Sequence, residues 1–313
     1  MKNEIAVFLW LYHTDLYQEF INLLLPIKKH IHLYLGLCDT IQNLDIEHIF
    51  SQIFSPNLTI EYYHNAGADV LPFLYQLKLA DNKHKYCIKL HSKKSCLGYN
   101  KQINWLNILL NDLLVPSVFM KNIDRLEKDY HDIIGSKVFL YKNQELYNSA
   151  KIIEICNTIN IDYSKIKRKT FIAGNMFIAR CSIFDPFVVY FDSLKDKLEQ
   201  ETGHVTDTYE GKYAHSMERL SGYLGSQRRK IGYSFLPTKI ILTSKIPGVR
   251  KLHMVELCNQ ECYILENVNI YGKIKEHRVN KDITINWLNT QQAEYYTKYT
   301  YLNNKTLINH AYS

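Results

Sequence analysis

IAVFLWLY, residues 5–12, is the stretch on which the fold turns. An unbroken apolar run of this length suits a strand buried on both faces. Asp15–Leu25 follows with Leu16, Phe20, Leu23 and Leu24 at helical spacing, Asp15 or Thr14 to cap it and Pro26 to end it. The alternation continues with strands at His32–Leu37, Leu58–Tyr63 and Tyr86–Leu90 and helices at Ile46–Phe54 and Val70–Leu79. Strand–helix–strand order at this spacing predicts parallel crossovers. The expected class is therefore α/β, a mostly parallel sheet flanked by helices. Such sheets hold their ligands outside the carboxyl ends of the strands.

Further along, helices are expected at Trp105–Leu114, Val118–Tyr130, Ile152–Ile159, Phe184–Leu198 and Tyr213–Leu224. A short strand is expected at Lys137–Leu140, a basic loop at Lys165–Thr170, and one strand over Thr170–Arg180 with a close backbone approach at Gly174. After Gly248 the pattern weakens to a hairpin at Cys262–Ile274 and a tyrosine-rich helix at Trp287–Tyr301. The organisation expected is one main domain, residues 1–245, with an extension, residues 246–313, packed on it.

The 313 residues are 46% hydrophobic and 22% charged, a globular balance that excludes disorder. A net charge of +7 suits phosphorylated ligands, an anionic membrane face or nucleic acid, and equally a basic surface with no partner. Seven scattered cysteines read as reduced thiols of a cytoplasmic protein; Cys258 and Cys262 lack the second pair a zinc site needs. The first apolar run meets His13 and Asp15 too soon for a signal peptide, and no stretch is long enough to span a bilayer. A protein acting on a lipid-linked substrate would then work at the inner membrane face.

Four segments could carry chemistry. Asn65-Ala-Gly67-Ala-Asp69 can make a sharp turn that sets Asp69 at a helix start, as an N-cap or facing a ligand. Lys89-Leu-His91-Ser92-Lys93-Lys94-Ser95 has the charge and hydroxyls a diphosphate site needs, or is a solvated basic loop. Phe171–Phe177 places Gly174 among bulky residues, beside a ligand or within a packed strand. In Glu210–Arg219, helical spacing brings His215, Glu218 and Arg219 to one face, as a base and clamp or as a surface salt-bridge trio. A dinucleotide fingerprint, a Gly-x-Ser-x-Gly elbow, an HExxH motif and the Asp-x-Asp metal motif of many sugar transferases are all absent from the sequence.

In this order the segments resemble the rhamnan synthesis F family. Its Asn-x-Gly-Arg-Asp-x-x-Pro-Phe block is similar to Asn65, Gly67, Asp69, Pro72 and Phe73. Its Lys-Leu-His-Thr/Ser-Lys-Lys-Ser block resembles Lys89–Ser95, and a tryptophan with a leucine-rich helix resembles Trp105–Leu114. Its Ala-Gly-x-Met-Phe segment resembles Ala173–Phe177, and its Asp-Gly…Ala-His-x-x-Glu-Arg block resembles Glu210-Gly211 with Ala214, His215, Glu218 and Arg219. The likeness spans roughly residues 5–225. Ala68 and Leu106 stand where the family has arginine, Ile178 where tryptophan is frequent, and Glu210 where aspartate is usual.

The resemblance implies a GT-A-like nucleotide-sugar-binding domain. It implies transfer of a sugar, rhamnose or a furanose such as galactofuranose, from a nucleotide diphosphate to a rhamnan, O-antigen or capsule. The reaction expected is inverting and metal-independent, with no cofactor required. Asp69 is the first candidate base, with Glu210 or Glu218 next. His91, Ser92, Lys93 and Lys94 would hold the diphosphate, His215 and Arg219 would orient or clamp, and Asn65, Gly67 and Gly174 would shape the nucleotide loop. The expected partners are the sugar donor and a glycan or lipid-linked acceptor, with peripheral membrane contact and no nucleic acid. Because two arginines are missing, a non-catalytic carbohydrate- or nucleotide-binding member of the family is the alternative.

Overall fold

The computed structural model describes residues 4–40, 44–94, 96–97, 103–136, 139–142, 148–201 and 211–234, together with the strands β12–β18 given below. By contact, the chain divides into two compact units: Met1–Ser92 with Leu113–Ser234, and Lys93–Asp112 with Phe235–Ser313.

The first unit opens with the expected alternation. β1 (Ile5–Trp10), α1 (Tyr17–Leu24), β2 (Ile31–Cys38), α2 (Leu44–Phe54), β3 (Leu58–Tyr63), α3 (Val70–Ala80) and β4 (Tyr86–His91) follow one another. All six residues of β1 are buried, which is why it reads as a continuous apolar run; all six of β4 are buried too, although Lys89 and His91 interrupt its apolar residues. Helix α3 buries eight side chains, Gln76 among them. The Gln76 amide donates to Leu9 O at 3.1 Å and Tyr34 O at 3.0 Å, so its burial is compensated.

The short strands β5 (Cys96–Leu97) and β6 (Ile103–Asn104) come next, then α4 (Trp105–Leu114) and α5 (Pro116–Glu127). They lead to β7 (Ile133–Ser136), β8 (Leu140–Lys142), α6 (Ser149–Thr158), β9 (Thr170–Ile172) and β10 (Phe177–Arg180). Three helices, α7 (Asp185–Val189), α8 (Phe191–Glu199) and α9 (Tyr213–Ser226), precede β11 (Gly232–Ser234).

The main sheet has seven strands in the order β11-β7-β10-β4-β1-β2-β3. Every pairing is parallel except the two made by β10. The chain moves outward from β1 to β2 and β3, then returns to place β4 on the other flank of β1. The β1/β4 border is therefore a topological switch point, the place where open α/β sheets hold their ligands at the carboxyl edge. One core cluster packs α3, α6, α8 and α9 around Phe8, Phe73, Phe177 and Phe184. Phe73 meets Phe177 and Phe184 edge-on, at 6.0 and 5.2 Å between centroids. Each such ring contributes about 1.5–3 kcal/mol by burial.

Two expectations need correction. Thr170–Arg180 is two strands, not one: β9 pairs with β8 in a separate ribbon, β10 joins the main sheet, and left-handed residues Gly174 (φ 86°) and Asn175 (φ 51°) break the chain between them. Phe184–Leu198 is not one helix, because Tyr190 leaves helical geometry (φ −102°, ψ 27°) and separates α7 from α8. Of the strand expected at Lys137–Leu140, residues 137–138 lie outside the described part and Leu140 opens β8.

In the second unit, β12 (Lys239–Ile240), β13 (Ser244–Ile246), β14 (Val249–Glu256), β15 (Cys262–Val268) and β16 (Lys273–Val279) form an antiparallel sheet. β15 and β16 make the expected hairpin. β17 (Tyr299–Tyr301) pairs with β18 (Thr306–Ile308), so the end of the expected Trp287–Tyr301 helix is extended; residues 281–298 lie outside the described part. Among the described residues no helix is long and apolar enough to cross a membrane.

Candidate functional site

The site is built at the carboxyl edge, at the switch point. Lys89 lies one turn of the pleat before His91 on β4, so both side chains leave the same face of the strand. The stem of Lys89 runs between rings: Phe8 and Phe177 are its neighbours across the sheet, and its ammonium lies 5.4 Å from the centroid of Phe73. An ammonium buried to 2% exposure needs a counter-charge. It has Asp69, whose Oδ2 accepts from Lys89 Nζ, while Asn175 O accepts a second hydrogen bond from Nζ at 3.1 Å. The Asn175 amide closes the triangle by donating to Asp69 Oδ2 at 2.8 Å. His91 Nδ1 stands 3.5 Å from the same oxygen.

Two glycine turns supply the backbone for this geometry. Gly67 (φ 59°) and Ala68 (φ 52°) are both left-handed and aim Asp69 back over the sheet. A Cβ on Gly67 would meet Leu71 Cβ at 2.8 Å and Leu198 Cβ at 3.0 Å, so only glycine fits. Asp69 sits before α3 but its side chain makes no capping hydrogen bond, so the helix-cap role open in the sequence is not the one it plays. Gly174-Asn175 repeats the left-handed pair on the other side, and Glu218 Oε1 on α9 accepts from Gly174 N at 2.8 Å.

Glu201 completes the frame. Its carbonyl accepts from Gly67 N at 2.8 Å, and its carboxylate accepts from the first amides of α9, Tyr213 N and, at 3.0 Å, Ala214 N. A closed circuit results. Asp69 is held by Asn175, the Gly174 turn by Glu218, α9 by Glu201, and Glu201 by the Gly67 turn that carries Asp69. On the other flank, Ser92 Oγ accepts from His13 N at 2.7 Å and ties the end of β1 to the end of β4.

Asp69, His91, Gly174 and Glu218 are thus brought together, with Gly67 and Ser92 as parts of their frame. Asn65 lies half-buried in the same turn as Gly67. Arg219 is buried, with its guanidinium 4.9 Å from the Phe171 ring centroid and donating to His215 O at 3.0 Å. His215 is half-buried on the same helix. Lys93 is half-buried and Lys94 exposed, and both belong to the second unit. Glu210 lies outside the described residues. Among the described residues no three His, Cys, Asp or Glu side chains gather as a metal-ligand set.

Lys89 and Asn175 lie inside two of the segments expected to carry chemistry but have no role of their own there, and Glu201 and His13 lie outside all four. Lys89 had a signal: a lysine inside an apolar strand, Tyr86-Cys-Ile-Lys-Leu, must find a counter-charge. Asn175, Glu201 and His13 had none, because each acts through a contact distant in sequence or through its backbone.

The fold is a mostly parallel α/β sheet flanked by helices, with a buried polar cluster at its switch point. The family model of rhamnan synthesis protein F matches residues 1–230, and the chain belongs to that family. Every residue of the circuit falls inside the matched span. No curated protein matches the chain. The family's name places the chain in the synthesis of a polysaccharide.

Proposed function

We propose that the protein is a glycosyltransferase of GT-A-like architecture. It moves a sugar, rhamnose or a furanose such as galactofuranose, from a nucleotide diphosphate to a surface-polysaccharide acceptor. One observation carries this reading: a carboxylate, Asp69, is held in a fixed direction by a buried lysine and an asparagine at the switch point, in a chain of a polysaccharide-synthesis family. Of the three polar side chains there, that of Asp69 is the most accessible, at 20% against 2% for Lys89 and 7% for His91. It is therefore the group a substrate hydroxyl can reach.

In the proposed reaction the acceptor oxygen attacks the anomeric carbon, its proton passes to Asp69, and the bond to the diphosphate breaks with inversion. His91, 3.5 Å from Asp69, would hold the diphosphate together with Lys93 and Lys94, which follow it in the chain. Fixed cations would take the part a metal plays elsewhere, so no cofactor is required. Glu218, Glu201 and Arg219 hold the frame rather than touch the substrate.

Incubation with a panel of nucleotide diphosphate sugars and a glycan acceptor, with and without manganese, tests this reading. Release of nucleoside diphosphate together with a glycan heavier by one sugar supports it. A thermal shift with donors but no product would assign the chain to the non-catalytic alternative, which the alanine at position 68 favours. Neither shift nor product would refute both.

A further inference from the structure

Two basic runs far apart in sequence meet on the amino edge of the main sheet. Lys165–Lys169 reads KIKRK and Arg228–Lys230 reads RRK. The first precedes β9 and the second leads directly into β11. Side chains from the end of α9 stitch them together. Gln227 Oε1 accepts from Lys167 N at 2.9 Å, the Gln227 amide donates to Arg168 O at 2.9 Å, and Ser226 Oγ donates to Arg168 O at 3.1 Å. Arg168 in turn donates to Ser226 O at 3.0 Å. His131 joins the loop before β7 to the same ledge, its Nδ1 donating to Lys230 O at 2.9 Å.

Some of this charge is neutralised on the spot. Arg229 lies 2.9 Å from Asp132 and 3.2 Å from Asp129, Arg180 also pairs with both, and Lys165 pairs with Asp162 at 3.3 Å. Lys167, Arg228 and Lys230 are exposed and none has a carboxylate of a described residue at ion-pair distance, although Arg228 adds to the positive field around Asp129. They stand with Tyr130, which at 62% is among the most exposed large side chains described.

We propose that this ledge docks the protein on an anionic lipid surface. Charge supplies the attraction: each lysine or arginine near a negative leaflet strengthens binding several-fold, and a tyrosine among them suits the headgroup layer. A single-stranded nucleic acid would need bare rings between the cations. The ledge offers one, Tyr130, rather than a series: the Tyr163 ring is covered, with the Lys169 ammonium 4.3 Å from its centroid and donating to its hydroxyl at 2.6 Å. Docked by the amino edge of the sheet, the protein turns the carboxyl-edge site away from the surface. That orientation suits an acceptor whose reacting end is separated from its lipid anchor by a length of glycan.

The test is co-sedimentation of the full chain with vesicles of phosphatidylcholine alone, and with vesicles in which part is replaced by phosphatidylglycerol. The expected result is binding to the anionic vesicles only, weakened steeply toward about 0.5 M salt. The triple variant Lys167→Ala, Arg228→Ala, Lys230→Ala should bind on the order of 100-fold more weakly, about five-fold per charge. Lys128→Ala, whose charge is already paired with Asp124 at 2.9 Å, should bind as the parent does. The charge-preserving pair Arg228→Lys, Lys230→Arg should also bind normally, which separates loss of charge from loss of fold. Equal binding of parent and triple variant would overturn the proposal. So would a parent that ignores anionic vesicles, or a triple variant that loses affinity for a homopolymeric RNA while vesicle binding is unchanged.

Discussion

Lys89 and Asp69, twenty residues apart in the chain, form an ion pair whose two members are buried to different depths. The ammonium has almost no access to water and the carboxylate keeps a fifth of its surface. This asymmetry says which partner depends on the other. Asp69→Ala strands a buried charge and should cost about 3–5 kcal/mol. Lys89→Met leaves a carboxylate that can still be hydrated and should cost less. The double variant should be less damaged than the sum of the two, and a denaturant double-mutant cycle reads the coupling.

Activity should separate along different lines. With Asp69 as the base, Asp69→Asn should lower kcat by about 10²–10⁴-fold while a donor still shifts the melting temperature. A transfer rate within a few-fold of the parent would remove Asp69 from that role.

The alanine at position 68 stores strain. At φ 52° a non-glycine residue costs roughly 1–2 kcal/mol relative to one that tolerates the left-handed region. Ala68→Gly should recover part of it, raising the melting temperature by about 2–4 °C. No rise would mean that unfolded-chain entropy offsets the gain.

Glu201 should be a positioning residue. Glu201→Gln keeps an acceptor for one amide of α9 but removes the negative charge at the helix start, worth about 0.3–1 kcal/mol. Since the same residue holds the Gly67 turn, kcat should fall while donor KM stays near that of the parent. Equal changes in both would indicate general loosening instead.

Stability should depend on pH through His131. Burial, the largest cause, lowers its basicity below the ordinary imidazole value of 6.5. Its neutral form donates through Nδ1 to Lys230 O and accepts through Nε2 from Arg125 at 2.9 Å. Because the folded state disfavours the proton, the stabilisation is complete above 6.5 and is lost as pH falls through the lowered value. His32, lowered chiefly by burial as well, acts in the same direction. His131→Gln should flatten the fall in melting temperature between about pH 7 and pH 5. An unchanged slope would assign it to other groups.

Lys93→Ala with Lys94→Ala should abolish transfer and leave the melting temperature within about 2 °C, since an exposed and a half-buried lysine add little to stability. Full transfer by that variant would exclude both from the diphosphate.

The alternation of apolar runs with helical spacing determined the α/β class, because a strand covered on both faces and a helix covered on one leave different periods in the sequence, as β1, β4 and α1 show. Local chemistry likewise marked the Gly67 turn, whereas the Gly174 position, read as a close approach within one strand, is a left-handed break between two. What tertiary structure alone decided is which charge meets which. The residues Lys89-Leu-His91-Ser92 read as one basic segment with the lysines after them, yet the strand continues to His91 and turns Lys89 inward onto Asp69. Asn175 enters only because the chain breaks into β9 and β10, and Glu201 enters through bonds to two distant backbones. Periodicity reports what a residue's own face must avoid, namely water or apolar packing. The partner of a buried charge depends on strand order and on turns with positive φ, and those are set by the whole sheet.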